Sequence, residues 1–285
     1  MDFLFKLIEI ANTPMTTPTL YGTFHLVWIL VAVVSAVLMC VFLKNASERG
    51  VRLICLAFWL VLVAFEIYKQ FKFTHLVVDG VFVFDYNWYQ FPFQLCSSPH
   101  YILPLVFLLP NGRIRDAAIA FLMTFSVFGG LAVFVFPNDV FCATLGLNVQ
   151  TMVHHGIQIV SGLFLGARYR ERLTARFFFG GAGVFAVLLS MAIVINEVVQ
   201  KWLFANGDSD VCNMFYVSRY FPTTLPVLSD IYPKVPYPVF VAIYALGFVV
   251  VAGIIFLLIK LVAAIAGGIA RLCGRNGNEG AGDAA

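Results

Sequence analysis

The chain has 285 residues, 61% of them hydrophobic and 12% charged, with a mean hydropathy of +0.91. Ordinary soluble domains carry about a quarter charged residues, so this composition excludes a soluble globule and points to an integral membrane protein. The net charge of +3 is too small to suggest nucleic acid as a partner, which leaves the basic residues as topology markers.

Residues 1–11 read as a short amphipathic helix on the outer membrane interface; residues 1–19 lack the basic start and continuous apolar core of a cleavable signal. A spanning helix needs about 20 mostly apolar residues. Seven segments qualify in chain order: 20–43, 53–70, 91–109, 117–136, 149–167, 177–199 and 237–259. The fourth and sixth carry glycine pairs, Gly129-Gly130 and Gly180-Gly181, that allow close helix contacts. Lys44, Arg49, Arg52, Arg113, Arg115, Arg168, Arg170, Arg172, Arg176, Lys260, Arg271 and Arg275 follow the odd-numbered segments, so 12 of the 18 basic residues share one side. The positive-inside rule then predicts an all-α polytopic bundle of seven transmembrane helices, amino terminus outside and carboxyl terminus in the cytoplasm. Residues 1–275 form the single domain, and 276–285 read as a disordered polar tail.

Two external loops are long. Within residues 69–90, Asp79-Gly80 flanked by β-branched and aromatic residues predicts a hairpin. The proline-rich residues 200–236 read either as a lid over the outer face or as a stiff connector. Cys142 and Cys212 both fall in external loops, where an oxidising compartment permits a disulfide; two free thiols are the alternative.

Polar side chains gather toward the outer ends of the helices: His25, Glu66, Gln94, Cys96, His154, His155, Asn196 and Glu197. Ionisable groups inside a membrane are costly and mark function, so this band describes an outward-facing pocket. A thiol beside an imidazole makes a nucleophile. The ring takes the thiol proton, and the thiolate attacks an ester carbonyl. Cys96 is therefore the candidate nucleophile and His154 or His155 the base, with sulfur expected within about 4 Å of a ring nitrogen. The two rings lie on adjacent residues and diverge by about 100°, so one reaches Cys96 while the other bonds elsewhere. His100, one turn beyond Cys96, is a substitute partner. Gln94 or backbone N–H groups near Pro99 would stabilise an oxyanion, and Glu66 or Asn196 would orient the base. Bland roles exist for each: cysteine as a small packing residue, histidine as a donor to a helix carbonyl, glutamate as a snorkelling cap. No cofactor and no metal is assigned; a zinc site is a third possibility, which only a fold bringing His25, Cys96 and one of the paired histidines together would support.

Several stretches carry a family likeness. They are Tyr21-Gly-Thr-Phe-His25, Phe91-Pro-Phe-Gln-Leu-Cys96-Ser, Phe128-Gly-Gly through Pro137-Asn-Asp139, His154-His155-Gly156, Asn213 to Arg219 and Leu228 to Pro238. In this order they resemble the YwaF-like family of bacterial integral membrane proteins, itself distantly similar to animal transmembrane cysteine-dependent acyltransferases of phospholipids. The resemblance implies a bacterial plasma membrane, a phospholipid or fatty-acyl substrate, Cys96 as acyl acceptor and His155 as its base. The chain departs from the bacterial pattern at Gln94, where histidine is more usual, and in its doubled histidine. A non-enzymatic ligand carrier or receptor-like binder is the alternative, in which His25, Glu66 and the histidine pair hold a small ligand.

Overall fold

A computed structural model describes residues 2–79, 81–137 and 140–279. Helix α1 covers Asp2–Ala11, and α2, Thr23–Phe42, follows it. Helix α3, Glu48–Lys72, starts where the Ser47 hydroxyl accepts from Gly50 N–H. Strands β1, His75–Val78, and β2, Val81–Phe84, pair antiparallel as the hairpin that Asp-Gly predicts, with Val78 opposite Val81. Helix α4 is short, Pro99–Leu108. Helix α5, Arg113–Phe121, passes through a π-helical turn at Leu122–Ser126 into α6, Val127–Val135. Helices α7, Leu145–Arg168, and α8, Ala175–Ala205, follow. A loop containing the single-turn helix α9, Leu228–Ile231, leads to α10, Tyr237–Glu279.

Six of the seven expected segments fall on helix along most of their length, and the third does so only from Pro99. Among the described residues, five helices are long and apolar enough to cross a membrane: Thr23–Phe42, Glu48–Lys72, Arg113–Val135, Ala175–Ala205 and Tyr237–Gly268. The expected third span breaks up. Residues 88–90 and 95–97 are 3-10 turns, because Pro92 and Pro99 withhold backbone donors, and the apolar helix Leu95–Leu108 is short. The expected fifth span is long enough but carries too many polar residues. Most of its side chains are buried among α2, α3, α6 and the π turn, so it needs no lipid-compatible face. The expected disordered tail is helical through Glu279, while 280–285 lie outside the described residues.

Small residues set the central helix contacts. A Cβ on Gly130 would lie 2.7 Å from the His155 carbonyl, and one on Gly181 would lie 2.8 Å from Phe121 N. Both predicted glycine pairs therefore let helices touch along their backbones. The loops after α2, α4 and α7 meet at one end of the bundle. Arg168 Nε donates to Ala46 O at 2.7 Å, Arg52 donates to Phe107 O and Leu109 O, and Arg172 pairs with Asp116. Arg52, Arg168 and Arg172 thus share one end. Arg115, read from sequence as a loop charge, is fully buried there, bonded to Val106 O, Asn111, Tyr169 and Glu48.

At the opposite end, residues 212–218 are folded into the bundle. Asn196 accepts from Met214 N–H at 2.6 Å and donates to Met214 O at 3.0 Å. Gln94 likewise accepts from Phe215 N–H at 2.7 Å and donates to Asn213 O at 2.9 Å. These two amides hold Phe215 (φ 57°) and Tyr216 (φ 56°) in the left-handed region, where non-glycine residues need outside support. Met214 and Phe215 then pack into the core, so this part of the loop is a plug. Of the two readings open for Cys142 and Cys212, disulfide or free thiols, the structure shows the second. Both thiols are free: Cys142 faces Thr144 O at 3.9 Å, and buried Cys212 faces Asn196 Oδ1 at 3.7 Å. Each sulfur is held by its own neighbourhood, on different elements.

Candidate functional site

The site grows from an interruption in the backbone. In the 3-10 turn at residues 95–97, the carbonyl of Cys96 would accept from the N–H of residue 99, but that residue is proline and has none. Two side chains of α7 take its place: His154 Nε2 donates to Cys96 O at 2.7 Å and Gln158 Nε2 at 2.8 Å. The segments carrying Cys96 and the histidines are thereby neighbours. The expected thiol–imidazole bond is not what joins them. Among the described residues no hydrogen bond links either ring to the thiol, and His154 is turned to the backbone carbonyl instead.

The carbonyls fix the tautomers. His154 carries its proton on Nε2, which leaves Nδ1 a bare acceptor; that atom is buried and has no partner. His155 donates from Nδ1 to Thr151 O at 2.7 Å, and its Nε2 is buried without a partner. Both rings, with Cys96, Ser97, Gln94 and Lys69, line a cavity of about 300 Å³ at the end of the bundle opposite the arginines. Tyr89, Gln150, Thr151 and Tyr216 also face it.

Glu66 stands beside this cavity on α3. Its Oε1 accepts from Gln70 at 2.7 Å and pairs with Lys69 at 3.0 Å, while its buried Oε2 has no hydrogen-bond partner. His100 Nε2 lies 4.0 Å from that oxygen, and the His100 and His154 rings are 5.2 Å apart. The other sequence-predicted residues are elsewhere. His25 is fully buried, but it accepts from Tyr21 N–H and donates to Phe134 O, both at 3.0 Å, and so ties α2 to α6 outside the cavity. Asn196 belongs to the loop clamp, and Gln94, although in the cavity wall, is engaged there too. Glu197 holds Arg219 at 2.7 Å and Tyr220 at 3.0 Å.

Sequence reasoning missed Gln158 and Lys69. Both were findable by period: Gln158 lies one turn after His154, and Lys69 three residues after Glu66, on shared helix faces. The arrangement brings a thiol, an acceptor nitrogen and a cation to the wall of one partly open cavity.

The description of the TMEM164 family of proteins matches residues 20–260 of the chain. Comparison with curated proteins and with solved structures gives no match.

Proposed function

The chain belongs to the TMEM164 family, and from that premise we propose that it is a membrane-embedded lipid acyltransferase with Cys96 as nucleophile and His155 as base. With water as acceptor, the same site is a thiol-dependent lipid hydrolase. The observation that carries this reading is that Cys96 and His155 line one cavity and that His155 Nε2 is buried without a hydrogen-bond partner. His154 is the weaker candidate for the base, because its Nε2 is already engaged at the Cys96 carbonyl.

His155 Nε2 takes the thiol proton as sulfur attacks the ester carbonyl of a phospholipid. The Lys69 ammonium, in the cavity wall, offsets the charge on the developing oxyanion. Collapse breaks the ester C–O bond, and the imidazolium returns its proton to the departing alcohol. A thioester on Cys96 remains. The acceptor hydroxyl then gives its proton to His155, attacks the thioester and releases the thiol, with no other reactant required. In this reading the seven segments expected from the sequence cross the plasma membrane of a bacterium, the arginine-rich end is cytoplasmic, and the cavity opens outward.

The test is labelling of the purified protein, in lipid nanodiscs, with an electrophilic fatty-acyl probe, the adduct being mapped by mass spectrometry. Labelling is expected at Cys96, lost in Cys96→Ala and slowed about 10²-fold or more in His155→Ala. Labelling that survives both changes refutes the proposal.

A further inference from the structure

The acyl reading leaves three polar groups unused in and beside the cavity wall. Glu66 on α3, His100 on α4 and His154 on α7 each offer one ligand atom, and the three atoms lie within 4.8 Å of one another. Two of them, Glu66 Oε2 and His154 Nδ1, are buried without a hydrogen-bond partner, on residues 8% and 3% exposed. Leaving such atoms unsatisfied inside a membrane protein is costly, so their convergence asks for an occupant.

His100 sharpens the question. Its Nδ1 faces Ser97 O at 2.9 Å and its Nε2 faces Leu62 O at 3.2 Å. A neutral ring has one N–H and cannot donate to both carbonyls. Nδ1 makes the shorter contact and holds the proton, so the Nε2 lone pair meets oxygen unless a cation sits beside it. The outer contacts fit that cation. Each histidine gives its far N–H to a carbonyl, His154 to Cys96 O and His100 to Ser97 O, while the other carboxylate oxygen of Glu66 is held by Gln70 and Lys69. Carbonyl-anchored imidazoles and a hydrogen-bonded carboxylate are how metal ligands are oriented.

From this juxtaposition we propose that Glu66 Oε2, His100 Nε2 and His154 Nδ1 form a site for a divalent transition metal ion of the zinc type. Two imidazoles and a carboxylate suit zinc and leave a fourth position for water or a substrate oxygen. Tetrahedral zinc with bonds of about 2.0–2.1 Å puts its ligand atoms roughly 3.4 Å apart, so binding draws the three side chains together by small rotations. The ion would link α3, α4 and α7 and, through His154, bear on the backbone carbonyl of Cys96. Lys69 is the opposing influence: its ammonium lies 3.0 Å from Glu66 Oε1 and repels a dication.

The proposal is independent of the acyl chemistry and is tested separately. Full-length protein in nanodiscs is stripped with a chelator, equilibrated with zinc chloride, and its bound zinc measured by elemental mass spectrometry. One zinc per chain is expected. Glu66→Gln, His100→Gln and His154→Gln should each weaken binding at least tenfold, while Cys96→Ala should bind like the native chain. Lys69→Met should tighten binding several-fold, a gain that misfolding does not produce. A native chain that takes up no stoichiometric zinc overturns the proposal. Zinc lost in Cys96→Ala, or kept at native affinity in all three ligand variants, overturns it as well. Acyl labelling scored on the same samples separates the two ideas: zinc bound without labelling refutes the acyl reading alone.

Discussion

Alanine at Gly130 probes the contact that holds the histidines in place. The new Cβ would lie 2.7 Å from the His155 carbonyl oxygen, 2.9 Å from Ile159 Cγ1 and 3.1 Å from Gln158 Cβ. Ordinary contact begins at 3.4 Å, so α6 and α7 must part locally by about 3.4 − 2.7 = 0.7 Å. The obstructing oxygen is backbone and cannot rotate away. Overpacking of this kind costs about 1–3 kcal/mol, against a helix-propensity gain of about 1 kcal/mol, for a net loss of roughly 0–2 kcal/mol. The catalytic effect should be larger than the loss of stability, because misplacement by about 1 Å costs up to roughly 10²-fold. Gly129→Ala is the control. Its Cβ would meet Gln158 Oε1 at 3.1 Å, a milder overlap with a side-chain amide rather than backbone, and Cys96 Cα only at 3.9 Å. Thermal unfolding in nanodiscs and the rate of acyl labelling read both effects. If Gly130→Ala unfolds at the same temperature and labels as fast as Gly129→Ala, the α6–α7 contact does not position the site.

Arg115→Met should destabilise the bundle by about 3–5 kcal/mol, since it strips a fully buried cation from Glu48, Asn111, Tyr169 and Val106 O. Arg172→Met, at a pair that is 41% and 35% exposed, should change stability by about 0–1 kcal/mol, and equal unfolding shifts for the two would refute the network argument. At Cys212, burial pushes the thiol up from 9.0 to about 12. Between those values the unfolded chain releases a proton that the folded chain keeps, so stability falls as pH rises through that window. The alkaline slope of unfolding stability should flatten in Cys212→Ala, and an unchanged slope would count against a buried thiol there.

How much was legible follows from what each residue answers to. Long apolar runs must be helices in lipid, which is why residues 20–43, 117–136, 177–199 and 237–259 fall inside the observed helices or within a few residues of their ends. The 91–109 segment misled because hydropathy does not see proline. Phe91, Phe93 and Leu95 are apolar, yet Pro92 and Pro99 leave only turns before the helix begins. Arg115 misled differently: beside a helix end it reads as a cytoplasmic loop charge, and only the folded chain shows that four partners enclose it. The juxtaposition of Cys96 with His154 was legible from depth, whereas its form was not. That Pro99 interrupts the helix and that a histidine can donate to a helix carbonyl were both readable; that the carbonyl of Cys96 is the one His154 takes was not.

The least membrane-like helix is also the one that carries the site, and the two facts have one cause. Asn148, Thr151, His154, Gln158 and Ser161 recur at helical spacing on α7 and are all buried. A helix with that stripe is stable only if other helices screen it from lipid, as α2, α3 and α6 do. Screening alone would favour apolar replacements, since each unsatisfied buried atom costs about 1–3 kcal/mol. Four such atoms nevertheless belong to Glu66, His154, His155 and Gln158. Such a concentration is hard to sustain in a scaffold whose only task is packing. It is expected where a substrate oxygen, a transferred proton or a metal ion supplies the missing partner during the working cycle, and two assays run at one fixed pH, acyl labelling at Cys96 and zinc stoichiometry, ask which of these it is.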